Sequence, residues 1–163
     1  EKAPELPDFA RYQPPLPAAP SAEGVARAAD LLKNAKAPVV LAGRVSRDPA
    51  DWARRVAFVE GLGAKVLTDI RIGASFPTDH PRHRGKPAFF IDDAAGAVLR
   101  EADVILSLDW LDVAGTLKLA GEVTAQVIQA SLDYQLHNGW GMEHQALPAV
   151  RMLRCMRLPM LWV

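Results

Sequence analysis

Two short apolar runs, Pro38-Val39-Val40-Leu41-Ala42 and Val104-Ile105-Leu106-Ser107-Leu108, constrain this chain more than any other feature. Each is almost wholly aliphatic and is bounded by turn or polar residues, the pattern of a strand buried on both faces. Such a strand must sit inside a sheet covered on both sides, and helices returning over the sheet are what cover it. The intervening segments supply those helices. Ser21 reads as the N-cap of a helix in which Val25, Ala28, Leu32 and Ala35 recur at helical spacing, with Asn34 as its stop. Asp48-Pro49 reads as a second start, with Trp52, Val56 and Val59 along one side and Gly61-Leu62-Gly63 as the end. Residues 64–69 form the next expected strand. An irregular stretch through Gly73, Pro77, Pro81, Gly85 and Pro87 follows, and Ala88-Phe89-Phe90-Ile91 is a candidate third strand. Asp92 caps a third helix over residues 93–101, and residues 123–130 give a last strand. This alternation predicts an α/β fold with a doubly wound, mainly parallel sheet of Rossmann-like type, its crevice at the carboxyl ends of the strands.

The first twenty residues hold six of the 13 prolines, which fix φ and remove amide donors, so residues 1–20 read as an interdomain linker. Residues 21–150 read as the Rossmann-like domain and residues 151–163 as a separate tail. In that tail of uncertain structure Arg151, Arg154 and Arg157, three apart among Met152, Leu153, Cys155, Met156 and Leu158, could line a helix face ended by Pro159, and the segment otherwise reads as the chain's last element or as an artefact of where the piece ends. The 19 Lys plus Arg balance the 19 Asp plus Glu, which argues against a nucleic-acid partner. No apolar run approaches the roughly 20 residues that span a bilayer, so no membrane association is expected. A lone cysteine, Cys155, excludes an internal disulfide and a multi-cysteine zinc site and points to a reducing, cytoplasmic setting. The start Glu1-Lys2-Ala3-Pro4, without Met, reads as a piece of a longer protein.

Chemistry is sparse. A dinucleotide fold carries Gly-x-Gly-x-x-Gly after its first strand, so that backbone amides meet a pyrophosphate. Here only Gly43 is present, followed by Arg44-Val45-Ser46-Arg47. Arg44 and Arg47 either contact a phosphate or are solvated charges near the Asp48 cap. Asp109, at the end of a strand, either meets a ribose hydroxyl or caps the following turn. Gly43, Arg44 and Asp109 are therefore the candidate cofactor-binding residues, with no catalytic or metal-ligating residue expected. His80 and His83 lack a third ligand at sensible spacing; Asp79 fixes the turn and His80 packs against a neighbouring domain. His137 and His144 read as loop residues, and Cys155 as a structural thiol without a base nearby.

Four segments carry a resemblance to a known family. They are Leu31 to Gly43, ending Ala37-Pro38-Val39-Val40-Leu41-Ala42-Gly43; Leu62-Gly63-Ala64-Lys65-Val66-Leu67-Thr68; Gly73-Ala74-Ser75-Phe76-Pro77-Thr78-Asp79-His80-Pro81-Arg82-His83-Arg84-Gly85; and Ala102-Asp103-Val104-Ile105-Leu106-Ser107-Leu108-Asp109. Their order and spacing, and the Phe-Pro-x-Asp-His-Pro segment above all, resemble the central domain of thiamine diphosphate-dependent enzymes of the acetolactate synthase and pyruvate oxidase group. The resemblance covers residues 21–130, about two thirds of the chain. It implies a parent enzyme that makes or breaks C–C bonds on 2-oxo acids, with thiamine diphosphate and Mg²⁺ held by its amino- and carboxy-terminal domains. Those domains are the implied partners, in a homo-oligomer. The sequence contains no Gly-Asp-Gly, so the fragment alone is expected to be inactive and to bind neither thiamine diphosphate nor Mg²⁺. FAD or ADP binding is implied for some members. The single Gly43 and the segment Asp109-Trp110-Leu111-Asp112 depart from their pattern and weigh against it. The domain's own part is then a scaffold between catalytic domains, with Phe89, Phe90, Trp110 and Trp140 either suited to interdomain contacts or simply core.

Overall fold

The computed structural model describes residues 20–131 and the backbone of Met152–Met156. The elements run α1 (Ala22–Asn34), β1 (Pro38–Ala42), α2 (Pro49–Leu62), β2 (Lys65–Thr68), α3 (Asp93–Arg100), β3 (Val104–Leu108), α4 (Val113–Ala120), β4 (Gln126–Ser131) and β5 (Met152–Met156). The strands form one sheet in the order β2-β1-β3-β4-β5, all neighbours parallel. Every parallel step needs a crossover, and the described crossovers are helices, as the alternating pattern required.

Local chemistry sets the helix ends. The Ser21 hydroxyl accepts from Gly24 N, and the Asp48 carboxylate accepts from Ala50 N and Asp51 N with Pro49 in the first turn. Helix α2 stops at Gly63, which takes the left-handed conformation at φ 65. The Asp92 carboxylate caps α3 by accepting from Ala95 N.

Two apolar layers sandwich the sheet. Val39, Leu41, Leu67, Ile105 and Val127 point to the side covered by α3 and α4, where they meet Val98, Leu99, Val113 and Leu117. Val40, Ala42, Val66, Leu106 and Ile128 point to the other side and pack with Ala28 of α1 and Val59 of α2. The period of two along each strand thus feeds both layers. Leu41, Leu99, Ile105 and Ile128 are fully buried, and each such side chain contributes about 1.5–3 kcal/mol. At the opposite edge from the crevice, the Asp103 carboxylate accepts from Lys36 N at 2.6 Å and Ala37 N at 3.0 Å, anchoring the turn into β1 beside β3.

Two readings are corrected and one helix is added. Residues 88–91 are not a strand: only Ala88 bridges, to Asp69. The outer edge of β2 is taken instead by residues 82–84, where Val66 N donates to Arg82 O and Arg84 N donates to Val66 O. Helix α4 was not expected at all. Asp112 caps it through Gly115 N, but Gly115 and Thr116 are poor helix formers and the helix is only 8 residues long. The arginine-rich tail is not helical over 152–156. Those residues pair with the free edge of β4, from Val127↔Met152 to Ser131↔Met156, because an open edge of unpaired amides and carbonyls outweighs a weak helical spacing. The linker residues 1–19 and the residues His137, Trp140 and His144 lie outside the described residues. No helix among the described residues is long and apolar enough to cross a membrane.

Candidate functional site

In the strand order 2-1-3-4-5 the winding reverses between β1 and β3, and the loops leaving these two strands turn to opposite faces. Gly43 follows β1 and Asp109 follows β3, so the residues chosen from sequence meet at this switch point. They meet each other. Gly43 N donates to Leu108 O at 3.0 Å and Arg44 N to Asp109 O at 3.1 Å, carrying the β1–β3 pairing beyond the strand ends. A Cβ on residue 43 would lie 2.3 Å from the Asp109 carbonyl oxygen and 2.6 Å from Trp110 Cα. Glycine is required here for close approach of two backbones.

The side chains complete the closure. Arg44 Nε lies 2.9 Å from Asp109 Oδ2, and its Nη2 donates to Oδ1 at 3.3 Å. From β4, the Ser131 hydroxyl donates to Asp109 Oδ1, while Asp109 N donates to Ala130 O at 2.7 Å. Asp109 therefore joins the ends of β1, β3 and β4. Its φ of 52 is left-handed, a conformation that costs an ordinary residue about 1–2 kcal/mol and is offset by these bonds. A pyrophosphate or ribose at this point would need groups that Gly43, Arg44 and Asp109 already use within the chain. Within the chain the three residues form a strut across the strand ends.

The end of β2 holds a buried acid that sequence reading did not single out. Asp69 is buried, accepts from Arg71 N at 2.8 Å, and pairs with the Arg71 guanidinium. The guanidinium in turn lies 4.5 Å from the centroid of the Phe89 ring. The Asp69 hydrogen bond raises the Arg71 pKa, although partial burial opposes it. An acid directly after a buried strand was the available signal. Beside this pair Ile70, Phe89 and Phe90 are exposed at 63%, 45% and 67%, and the two phenyl rings stack edge to face.

The Phe-Pro-x-Asp-His-Pro segment proves to be a clasp on the sheet edge. Phe76 is buried among the residues of the α1–α2 layer and meets the His80 ring edge-on at 5.2 Å. His80 Nδ1 accepts from Arg82 N, which leaves Nε2 as the donor to Glu60 Oε1 at 3.2 Å. Arg82 donates to Gly63 O, and His83 Nε2 contacts the Thr68 hydroxyl at 2.8 Å. Burial, with the Arg84 charge adding to it, pushes the His83 pKa below its ordinary value. The two histidines are thus used separately.

Of the two readings of Trp110, interdomain contact or core, the structure decides for core. It is 2% exposed and its Nε1 donates to the Thr116 hydroxyl of α4 at 2.8 Å. Beneath it on the sheet, Ser107 and Gln129 are register partners on β3 and β4. Their buried hydroxyl and side-chain amide have no hydrogen-bond partner among the described residues.

A parallel sheet wound in both directions, with helices on both faces and a closed switch point, defines a doubly wound, Rossmann-like α/β domain. Comparison with known proteins gives the family. The chain belongs to the thiamine pyrophosphate enzyme central-domain family, whose model matches residues 25–136. It is 35% identical over 114 residues to a sulfoacetaldehyde acetyltransferase of Alcaligenes xylosoxydans xylosoxydans, covering 66% of this chain and 19% of the relative. A sulfoacetaldehyde acetyltransferase of Castellaniella defragrans is 34% identical over 122 residues, covering 71% of this chain and 20% of the relative. The chain thus spans about a fifth of the length of these curated relatives. Among solved structures, benzoylformate decarboxylase from Polynucleobacter necessarius shares the fold with a TM-score of 0.58 at 19% identity, over 93% of this chain and 28% of that one.

Proposed function

We propose that this chain serves as the central, non-catalytic scaffold domain of a thiamine diphosphate-dependent enzyme that makes or breaks C–C bonds on 2-oxo acids or related carbonyl compounds, in the manner of acetolactate synthase. The observation that carries the scaffold role is the closed switch point, where Gly43, Arg44 and Asp109 bond one another. Thiamine diphosphate and Mg²⁺ would belong to flanking domains of the same chain, whose faces meet the exposed Ile70, Phe89 and Phe90. The reading places the parent in the cytoplasm as a homo-oligomer.

Sequencing the coding DNA on both sides of these codons tests the proposal. A glutamate-bearing α/β domain upstream and a Gly-Asp-Gly to Asn segment downstream are expected; stop codons close on either side would overturn it. Assays of that full enzyme should then include sulfoacetaldehyde, because the curated relatives are named for it, beside 2-oxo acids. A second reading keeps a nucleotide site at Gly43, Arg44 and Asp109, and the position of all three at the strand-end switch point favours it. Calorimetric titration with FAD and with ADP separates the two. Heat that saturates, and disappears in Asp109→Ala, supports the site; no heat at millimolar ligand supports the scaffold alone.

A further inference from the structure

A buried cation in α2 has no part in the sheet or in the switch point. Arg55 is 3% exposed, and its guanidinium reaches two loops that are 29 residues apart in sequence. Nε donates to the Ser75 carbonyl at 2.7 Å, in the connection from β2 to α3. Nη2 donates to the Ser46 carbonyl at 3.1 Å, in the loop from β1 to α2 that carries Arg44. One turn earlier on the same helix, Asp51 is 2% exposed and supplies the opposite charge. The Ser46 hydroxyl hydrogen-bonds that carboxylate and lowers its pKa, with Arg54 adding to the effect. Ser46 is thus held at its carbonyl by Arg55, and its hydroxyl accepts from Asp48 N at 3.2 Å.

The second loop shows why a tether is needed. Ala74, next to Ser75, has φ 58. A non-glycine residue keeps this left-handed turn only where its surroundings hold it. The turn delivers the Ser75 carbonyl to Arg55 and the Phe76 ring to the core. Burying a guanidinium is costly, so its retention needs compensation, and here it comes from bonds to two carbonyls and from the nearby charge of Asp51.

We propose that Arg55 is a positioning residue that locks the Arg44 loop and the β2–α3 connection into one unit. Resting on the scaffold reading above, the lock ties the switch point to the connection that bears the exposed Ile70, Phe89 and Phe90. A flat two-pronged cation is needed to span the two carbonyls, and a single ammonium cannot replace it.

Hydrogen exchange on the full chain tests this with Arg55→Met and Arg55→Lys. Peptides covering residues 44–48 and 72–80 should both exchange about tenfold faster or more in each variant, as expected for loss of charge-assisted bonds, while those over β1 and β3 stay protected. In Arg55→Ala, methylguanidinium should restore protection to both loops and methylammonium at equal concentration should not. Acceleration of one loop alone, full protection in Arg55→Lys, failure of methylguanidinium, or lost protection across β1 and β3 overturns the proposal. None of these readouts depends on thiamine diphosphate, a nucleotide or a partner domain, so failure of the scaffold reading would appear separately.

Discussion

Replacing Gly43 with alanine tests the closed switch point most directly. The new methyl carbon would stand 2.3 Å from the Asp109 carbonyl oxygen, about 1 Å inside ordinary contact, and 2.5 Å from its carbon. These are backbone atoms, so no rotamer change relieves the clash. The β1 and β3 loops must part, which stretches or breaks the Gly43 N to Leu108 O and Arg44 N to Asp109 O bonds. Two backbone bonds contribute a net of about 1–3 kcal/mol, and overpacking a tight contact costs about 1–3 kcal/mol more. The expected loss is about 2–6 kcal/mol, read as a lower urea midpoint at unchanged slope. Gly61→Ala supplies the internal control. Gly61 lies in α2 with nothing within 4 Å of its added methyl, so alanine should stabilise by about 0.4–1 kcal/mol. A Gly43→Ala midpoint within about 0.5 kcal/mol of wild type would refute the argument. So would equal effects at the two glycines.

Further outcomes follow from the same geometry. Asp103→Ala removes the acceptor of Lys36 N and Ala37 N and should cost about 1–3 kcal/mol in the urea midpoint; a cost below that at pH 7 would show the anchor to be idle. Burial pushes the Asp103 pKa up, but the backbone amides of Lys36, Ala37, Asp103 and Val104 together pull it further down, so the net shift is downward. Its contribution is therefore present above the ordinary carboxylate range and lost as pH falls through the lower folded value, and this acid-dependent part should be missing in Asp103→Asn. His83, depressed by burial and Arg84, behaves in the same direction. Stability is full above 6.5 and falls as pH drops through that value toward the folded one, and His83→Gln should flatten the urea midpoint between pH 7.5 and 5.5. An equal acid loss in both proteins would contradict this. The buried Ser107 hydroxyl, without a partner among the described residues, should be dispensable: Ser107→Ala is expected to be neutral or stabilising by up to about 1 kcal/mol, and a thermal midpoint several degrees lower would reveal a hidden partner.

Much of the fold was legible because local rules decide it. The Ser21, Asp48 and Asp92 caps, the stop at Gly63 and strands β1 and β3 all follow from residue type and spacing over a few positions. Helix α4 was not legible, since Gly115 and Thr116 give it little intrinsic helicity and its stability comes from burying Val113 and Leu117 on the sheet. Residues 88–91 and 152–156 were misread for a related reason. Either could pair or coil locally, and which one joined the sheet depended on which edge remained open.

The candidate site divides along the same line. Gly43, Arg44 and Asp109 could be picked from sequence because strand ends in a doubly wound sheet are where function concentrates. Their bonding to one another could not, because it requires β1 and β3 to be neighbours although 65 residues separate Arg44 from Asp109. Arg55 looked like any helical arginine, and only packing shows it buried between two loops. Sequence alone determined the alternation of strands and helices, because hydrophobic period and caps act over one or two turns. Tertiary structure alone decided which groups are spent on one another at the switch point, because that depends on distances between residues the chain brings together only when the sheet closes.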